Sequence, residues 1–211
     1  MLLDVHTHHL PSDSSSALLS CFMHDCPLPE KAKYLAAGIH PWYITQKNYQ
    51  KQLTWVESML TDRRVIALGE TGLDKHCSTP FELQTEVFRH MISLADKHYL
   101  PLFIHAVKST EELIALKKEL RPRNPWIIHG FRGKKELAQS LIRQGCYLSF
   151  GEKYNSDSLL VTPIEKLLLE TDESSVSIEE LYSRVALQKS ISPDALITNI
   201  QETVSSLFFS R

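Results

Sequence analysis

The 211-residue sequence predicts a compact α/β fold, a TIM-type (β/α)8 barrel with one or two outer helices missing from its N-terminal third. Three observations predict it. Short apolar runs alternate with longer amphipathic stretches, the pattern of a parallel sheet covered by helices. About eight such runs can be counted, the strand number of a closed α/β barrel. Most of them stop at a histidine, glutamate or aspartate, and in a barrel the strand ends converge on one face. With 43% hydrophobic and 23% charged residues the chain can bury a sizeable core, and its length suits one domain over residues 1–211.

Each element has its own signal. The strand candidates are residues 2–6 (LLDVH), 17–22 (ALLSCF), 34–39 (YLAAGI), 65–70 (VIALGE), 101–106 (PLFIHA), 125–130 (PWIIHG), 146–150 (CYLSF) and 166–171 (KLLLET). They are too short for helices, and most are apolar without alternation, as strands buried on both faces should be. Only about ten residues separate the first two strands and about eleven the next two. Pro11, Pro27 and Pro29 disfavour helices in those gaps. Thr79, Pro80 and Glu82 predict a capped helix start, with Leu83, Val87, Met91, Leu94 and His98 on one face. Ser109 and Glu112 open a further helix that stops near Pro122, and Gly145 closes one over 134–144. Ser177 with Glu180 starts another, and Ser192–Pro193 a last one to about Phe208.

A formal charge of −2 calls for no polyanionic partner by itself. Cys21, Cys26, Cys77 and Cys146 show no CxxC pair, so reduced thiols in a cytoplasmic protein are expected. No signal segment and no apolar run of membrane-spanning length is present, so no membrane partner is expected, and a monomer is the favoured state.

The stretch DVHTHHL (residues 4–10) runs out of the first strand candidate. On a strand His6 and His8 share a face, because side chains alternate with period two. Glu70, His105 and His129 stand at the ends of later runs, and Asp172 follows the last. Singly, each is an ordinary polar residue at a strand end. Together they have the composition of a hydrolytic site with two divalent ions, imidazoles and carboxylates on each.

The segments DVHTHHL, AAGIHPWY, ALGETGLDK, FELQTEVFRHMISLA, PLFIHAVKS, IIHGFRG and LLLETDES occur in the order seen in the TatD family of metal-dependent deoxyribonucleases, within the amidohydrolase-like barrels. The chain resembles that family from about residue 2 to 175. The resemblance implies His6, His8, Glu70 and Asp172 around one metal, with Glu70, His105 and His129 around the other and Glu70 bridging. It departs from the family at Val107, where an arginine is usual, at Gly130 and Arg132 of HGFRG, and in ESSVSIEEL after the aspartate. The ligand set is kept and the substrate-contacting rim is changed, as in a short, divergent branch.

The expected activity is hydrolysis of P–O ester bonds in single-stranded DNA or another phosphodiester, by a metal-bridged water on two divalent ions (Zn, Mg or Mn). Asp172 is the candidate general base and Glu70 the bridging carboxylate. His40 is a candidate phosphate contact, Trp42 and Tyr43 candidate stacking platforms, and Arg132, Lys134 and Lys135 a short basic rim. Asp74 is read either as orienting a ligand or as a turn residue. Alternatives are a small-molecule ester, amide or lactone substrate on the same site, or a non-catalytic barrel that binds.

Overall fold

The computed structural model describes residues 1–26 and 29–210; Pro27, one of the prolines invoked above, lies outside the described residues. Eight parallel strands form one sheet in chain order: β1 (Asp4–Thr7), β2 (Ala17–Phe22), β3 (Tyr34–Ile39), β4 (Val65–Asp74), β5 (Leu102–Val107), β6 (Trp126–Ile128), β7 (Tyr147–Phe150) and β8 (Leu167–Leu169). Every expected strand is present, and the apolar runs have the reason assigned to them: all ten residues of β4 are buried. The sheet curls until its ends meet. Asp172 N donates to His6 O at 2.9 Å and His8 N to Asp172 O at 3.1 Å. Beside them Thr171 N and Oγ1 donate to the two oxygens of Asp4 at 3.0 and 2.6 Å. Burial pushes the Asp4 carboxyl up to about 7 against those hydrogen bonds.

The helices are α1 (Tyr49–Met59), α2 (Phe81–His98), α3 (Thr110–Leu120), α4 (Lys135–Arg143), α5 (Ser156–Val161), α6 (Ile178–Lys189) and α7 (Pro193–Val204). Among the described residues no helix lies between β1 and β2 or between β2 and β3, as expected from the short gaps. Ser177 and Ser192 cap α6 and α7 as read, accepting from Glu180 N and Ala195 N. Two other expected caps are diverted: Thr79 Oγ1 donates to Ile44 O and Ser109 Oγ to Leu73 O, so each hydroxyl ties its loop to the barrel instead. The sequence reading also missed α1, which buries Gln52, Leu53 and Val56 and packs Tyr49, Trp55 and Met59 at the edge of the core.

The four cysteines are not all reduced, contrary to expectation. Cys21 and Cys26 form a disulfide, while Cys77 and Cys146 are free. The tight turn in which Phe22 and Asp25 exchange backbone hydrogen bonds (2.7 and 3.1 Å) brings the two sulfurs together, and spacing alone gave no sign of that turn. No helix among the described residues is long and apolar enough to cross a membrane.

The barrel interior is filled from the far end. Phe208, buried in the turn after α7, stacks on Phe103 of β5 with centroids 6.0 Å apart, and Phe103 lies 5.5 Å from the His6 ring. The residues at the C-terminal ends of the strands therefore stand on an apolar floor.

Candidate active site

Glu70 is the centre of this face. It does not end its strand, as the run VIALGE suggested, because β4 continues to Asp74. Between Leu68 and Thr71 the register against β5 slips, Leu68 facing Leu102 and Thr71 facing Ile104, so β4 carries one extra residue there. Such a bulge re-aims a side chain, and here it turns Glu70 into the barrel mouth. Glycines make room for it. A Cβ on Gly38 of β3 would fall 2.2 Å from Gly69 C and 2.4 Å from Glu70 N, and Gly69 itself has φ +123°.

The two oxygens of Glu70 divide the cluster. Oε1 receives His129 Nε2 at 2.7 Å, His105 Nδ1 at 2.8 Å and His40 Nε2 at 2.9 Å. Oε2 faces His6 Nε2 at 3.5 Å and His8 Nε2 at 3.8 Å, and Asp172 Oδ1 lies 3.8 and 3.6 Å from the same two nitrogens. All six residues picked out at the strand ends are thus brought together, with His40 added on the Oε1 side. Among the described residues, the triples His6–Glu70–His129, His6–His8–Asp172, His40–Glu70–His105 and His129–Glu170–Asp172 each bring ligand atoms within 4.8 Å of one another.

The arrangement fits divalent ions. His6 is fully buried, yet neither ring nitrogen makes a hydrogen bond, an expensive state for an imidazole left alone. Ligand atoms sharing a tetrahedral zinc with bonds near 2.1 Å stand roughly 3.4 Å apart, close to the spacing on the Oε2 side. On the Oε1 side the spacing is that of hydrogen bonds, and the electrostatics agree. Burial alone would raise Glu70, but His129, His105 and His40 outweigh it and hold its carboxyl well below the ordinary range. Burial would lower His129, but Glu70 and Glu170 hold its imidazolium well above the usual value. His40 is pushed down, mainly by burial. Its Nδ1 accepts from Trp42 N at 3.2 Å, so its proton sits on Nε2 and points at Glu70. A phosphate contact through that nitrogen requires the Glu70 bond to be exchanged.

Asp172 holds its place by an unusual backbone. Its φ is +55°, in the left-handed region that asparagine and aspartate tolerate better than most residues. Its side chain is 27% exposed and borders a cavity of about 520 Å³ whose other walls include Val107, Ile128 and Leu141. Trp42 stands at the edge of this cavity, 54% exposed, its ring steered by a 2.6 Å bond from Nε1 to Asp74 Oδ2. Exposed Lys108 and Arg132 complete the rim. Asp74 accepts from His76 N at 2.7 Å, as a turn residue does, and its Oδ2 also meets His105 Nε2 at 3.2 Å. Glu170 was missed. It sits fully buried after β8, 3.3 Å from His129 Nδ1, and the only sign in the sequence was an acid directly following three leucines.

In sequence the chain is similar to metal-dependent hydrolases, and in fold to a solved TatD homolog. The chain is 34% identical over 148 residues to the uncharacterized metal-dependent hydrolase YabD of Bacillus subtilis (strain 168), an alignment covering 66% of this chain and 58% of that protein. It is 30% identical over 159 residues to the 3'-5' ssDNA/RNA exonuclease TatD of Cronobacter sakazakii, covering 70% of this chain and 60% of that one. It therefore spans about three fifths of the length of the curated relatives it matches. The crystal structure of YjjV, a TatD homolog from Escherichia coli K12, shares the fold with a TM-score of 0.81 at 20% identity, covering 100% of this chain and 98% of that one. The family model described as TatD related DNase matches residues 27–208, and the chain belongs to that family.

Proposed function

We propose that the chain is a metal-dependent hydrolase that cleaves P–O ester bonds of single-stranded DNA or a closely related phosphodiester. One observation carries this reading: a buried carboxylate whose two oxygens face separate sets of imidazoles, with a second, partly exposed carboxylate beside one set. His6, His8, Glu70 and Asp172 would hold one divalent ion, and Glu70, His105 and His129 the other. When bound, such ions supply Lewis-acid polarisation of a phosphoryl oxygen and an acidified water. Glu70 anchors both halves and is itself braced by His40. Asp172 is the general base: it borders the cavity and takes the proton of the attacking water at a carboxylate oxygen. The ester oxygen leaves with a proton returned from that carboxyl or from solvent, giving an alcohol and a phosphomonoester.

The rim supports a nucleotide substrate. Trp42 offers a ring whose tilt is set by Asp74, and the ring of Tyr43, the next residue, packs on His24 with centroids 4.2 Å apart. Exposed aromatic faces stack bases of any sequence. Lys108 and Arg132 face the cavity mouth, enough charge for a short strand but not for tight duplex binding. The test is hydrolysis of a single-stranded oligonucleotide and of bis(p-nitrophenyl) phosphate by chelator-treated protein resupplied with Mg²⁺, Mn²⁺ or Zn²⁺. Turnover of both, abolished by chelator, is expected. Turnover of carboxylic esters or lactones alone would move the substrate to small molecules, and no turnover with bound metal would leave a binding protein.

A further inference from the structure

Behind the histidines on the Oε1 side of Glu70 stand two more carboxylates. Glu170 Oε1 lies 3.3 Å from His129 Nδ1, the nitrogen turned away from Glu70, and accepts Gly130 N at 2.6 Å. Asp74 Oδ2 lies 3.2 Å from His105 Nε2, again the nitrogen turned away from Glu70. The two rings present opposite nitrogens inward, Nε2 for His129 and Nδ1 for His105, and each has an acid on its other nitrogen. The Oε2 side has nothing comparable. Neither nitrogen of His6 is hydrogen-bonded, and His8 Nδ1 has only exposed Glu173 at 3.9 Å.

Glu170 is the less expected of the pair. It is fully buried beside a cluster that already holds Glu70 and Asp172. A further carboxylate there is costly to desolvate, and an apolar side chain of the same length would avoid that cost. What a carboxylate does at this spot, and an apolar group cannot, is accept a hydrogen from Nδ1 of His129. A neutral imidazole carries one N–H, so when an ion takes the place of the Nε2 proton that now meets Glu70, Glu170 keeps the remaining hydrogen on Nδ1.

We propose that Glu170 is a positioning residue that sets the tautomer and tilt of His129, as Asp74 does for His105, and so prepares the Oε1 half of the cluster for a divalent ion. This rests on the metal reading above. The experiment measures Zn²⁺ and Mn²⁺ affinity of chelator-treated full-length chain by competition with a chromophoric chelator, together with the melting temperature of the metal-free protein. Glu170→Gln, which keeps an acceptor without the charge, should weaken binding about tenfold, and Glu170→Met, which removes the acceptor, about a hundredfold. Metal-free melting temperatures should stay within about 5 °C of the parent, since the lost Gly130 bond and the relieved carboxylate nearly offset. Binding by Glu170→Met within twofold of the parent overturns the proposal. So does a loss of affinity that only tracks a fall in metal-free stability, because that marks a packing role. Should the Met variant not fold, Glu170→Gln decides: parent-like affinity there overturns the proposal equally. A parent chain that binds neither ion is a different result, since it removes the metal reading itself.

Discussion

Asp172 and the Glu70–His129 pair are where single residues decide most. Asp172→Asn keeps the backbone bonds to His6 and His8, and asparagine accepts the left-handed φ of +55°. The fold should survive while kcat on a phosphodiester drops at least about 10²-fold, because an amide cannot take a proton. Unchanged circular dichroism with near-normal turnover would place the base elsewhere. The Glu70–His129 pair sets the pH response. With His129 held well above its ordinary 6.5, the metal-free chain has that group's stabilisation in full below 6.5 and loses it as pH rises through the folded value. With Glu70 held well below its ordinary 4.5, its contribution is present above 4.5 and lost as pH falls through the folded value. Chelated protein should therefore melt at lower temperature as pH climbs from 6.5 upward. Over the same interval the melting increment from Mn²⁺ or Zn²⁺ should grow, because an ion must displace the His129 proton. A pH-independent increment in scanning fluorimetry would contradict this.

Among the elements, the β3–β4 contact is the most sensitive. Gly38→Ala places a methyl within 2.4 Å of the Gly69–Glu70 backbone, and backbone atoms cannot swing aside as a side chain can. The variant should lose about 1–3 kcal/mol in urea unfolding. It should also bind metal more weakly, since the displaced segment carries Glu70; loss of stability with unchanged metal affinity would show that the bulge absorbs the shift. How much of this was legible in the sequence follows from what each element buries. Strands covered on both faces must be apolar throughout, so all eight could be read, and the polar residues that break such runs pointed directly at the barrel mouth. Helix α1 was missed although Tyr49, Leu53, Val56 and Met59 recur at helical spacing and pack on the core, because Gln52 interrupts that face and no side-chain cap marks its start. The bulge that carries Glu70 depends on pairing with β5, more than thirty residues away, and leaves no local pattern. Thr79 and Ser109 look like helix caps in sequence, and only the fold reveals nearer carbonyls for their hydroxyls. Glu170 read as the tail of a strand, since proximity to His129 is a tertiary fact.

At the scale of the whole molecule, the barrel is plugged at one end by Phe208 and joined along one side by Asp172. Phe208→Ala should cost about 3–5 kcal/mol in urea unfolding, as a buried ring lost from a packed floor, yet change metal affinity little, because Phe103 remains beneath His6. A variant that unfolds at the parent's urea midpoint would show that the floor closes without this ring. The join has a different consequence. The sheet's first and last strands are held by backbone bonds on either side of Asp172 and by the grip of Thr171 on Asp4, with no long ladder behind them. A latch this short is where the molecule breathes, and breathing there parts Asp172 from His6 and His8. In hydrogen exchange the amides of His8, Thr171 and Asp172 should therefore trade their protons together, sooner than those between β4 and β5. Saturating metal, holding both sides of the latch, should slow all three by one common factor.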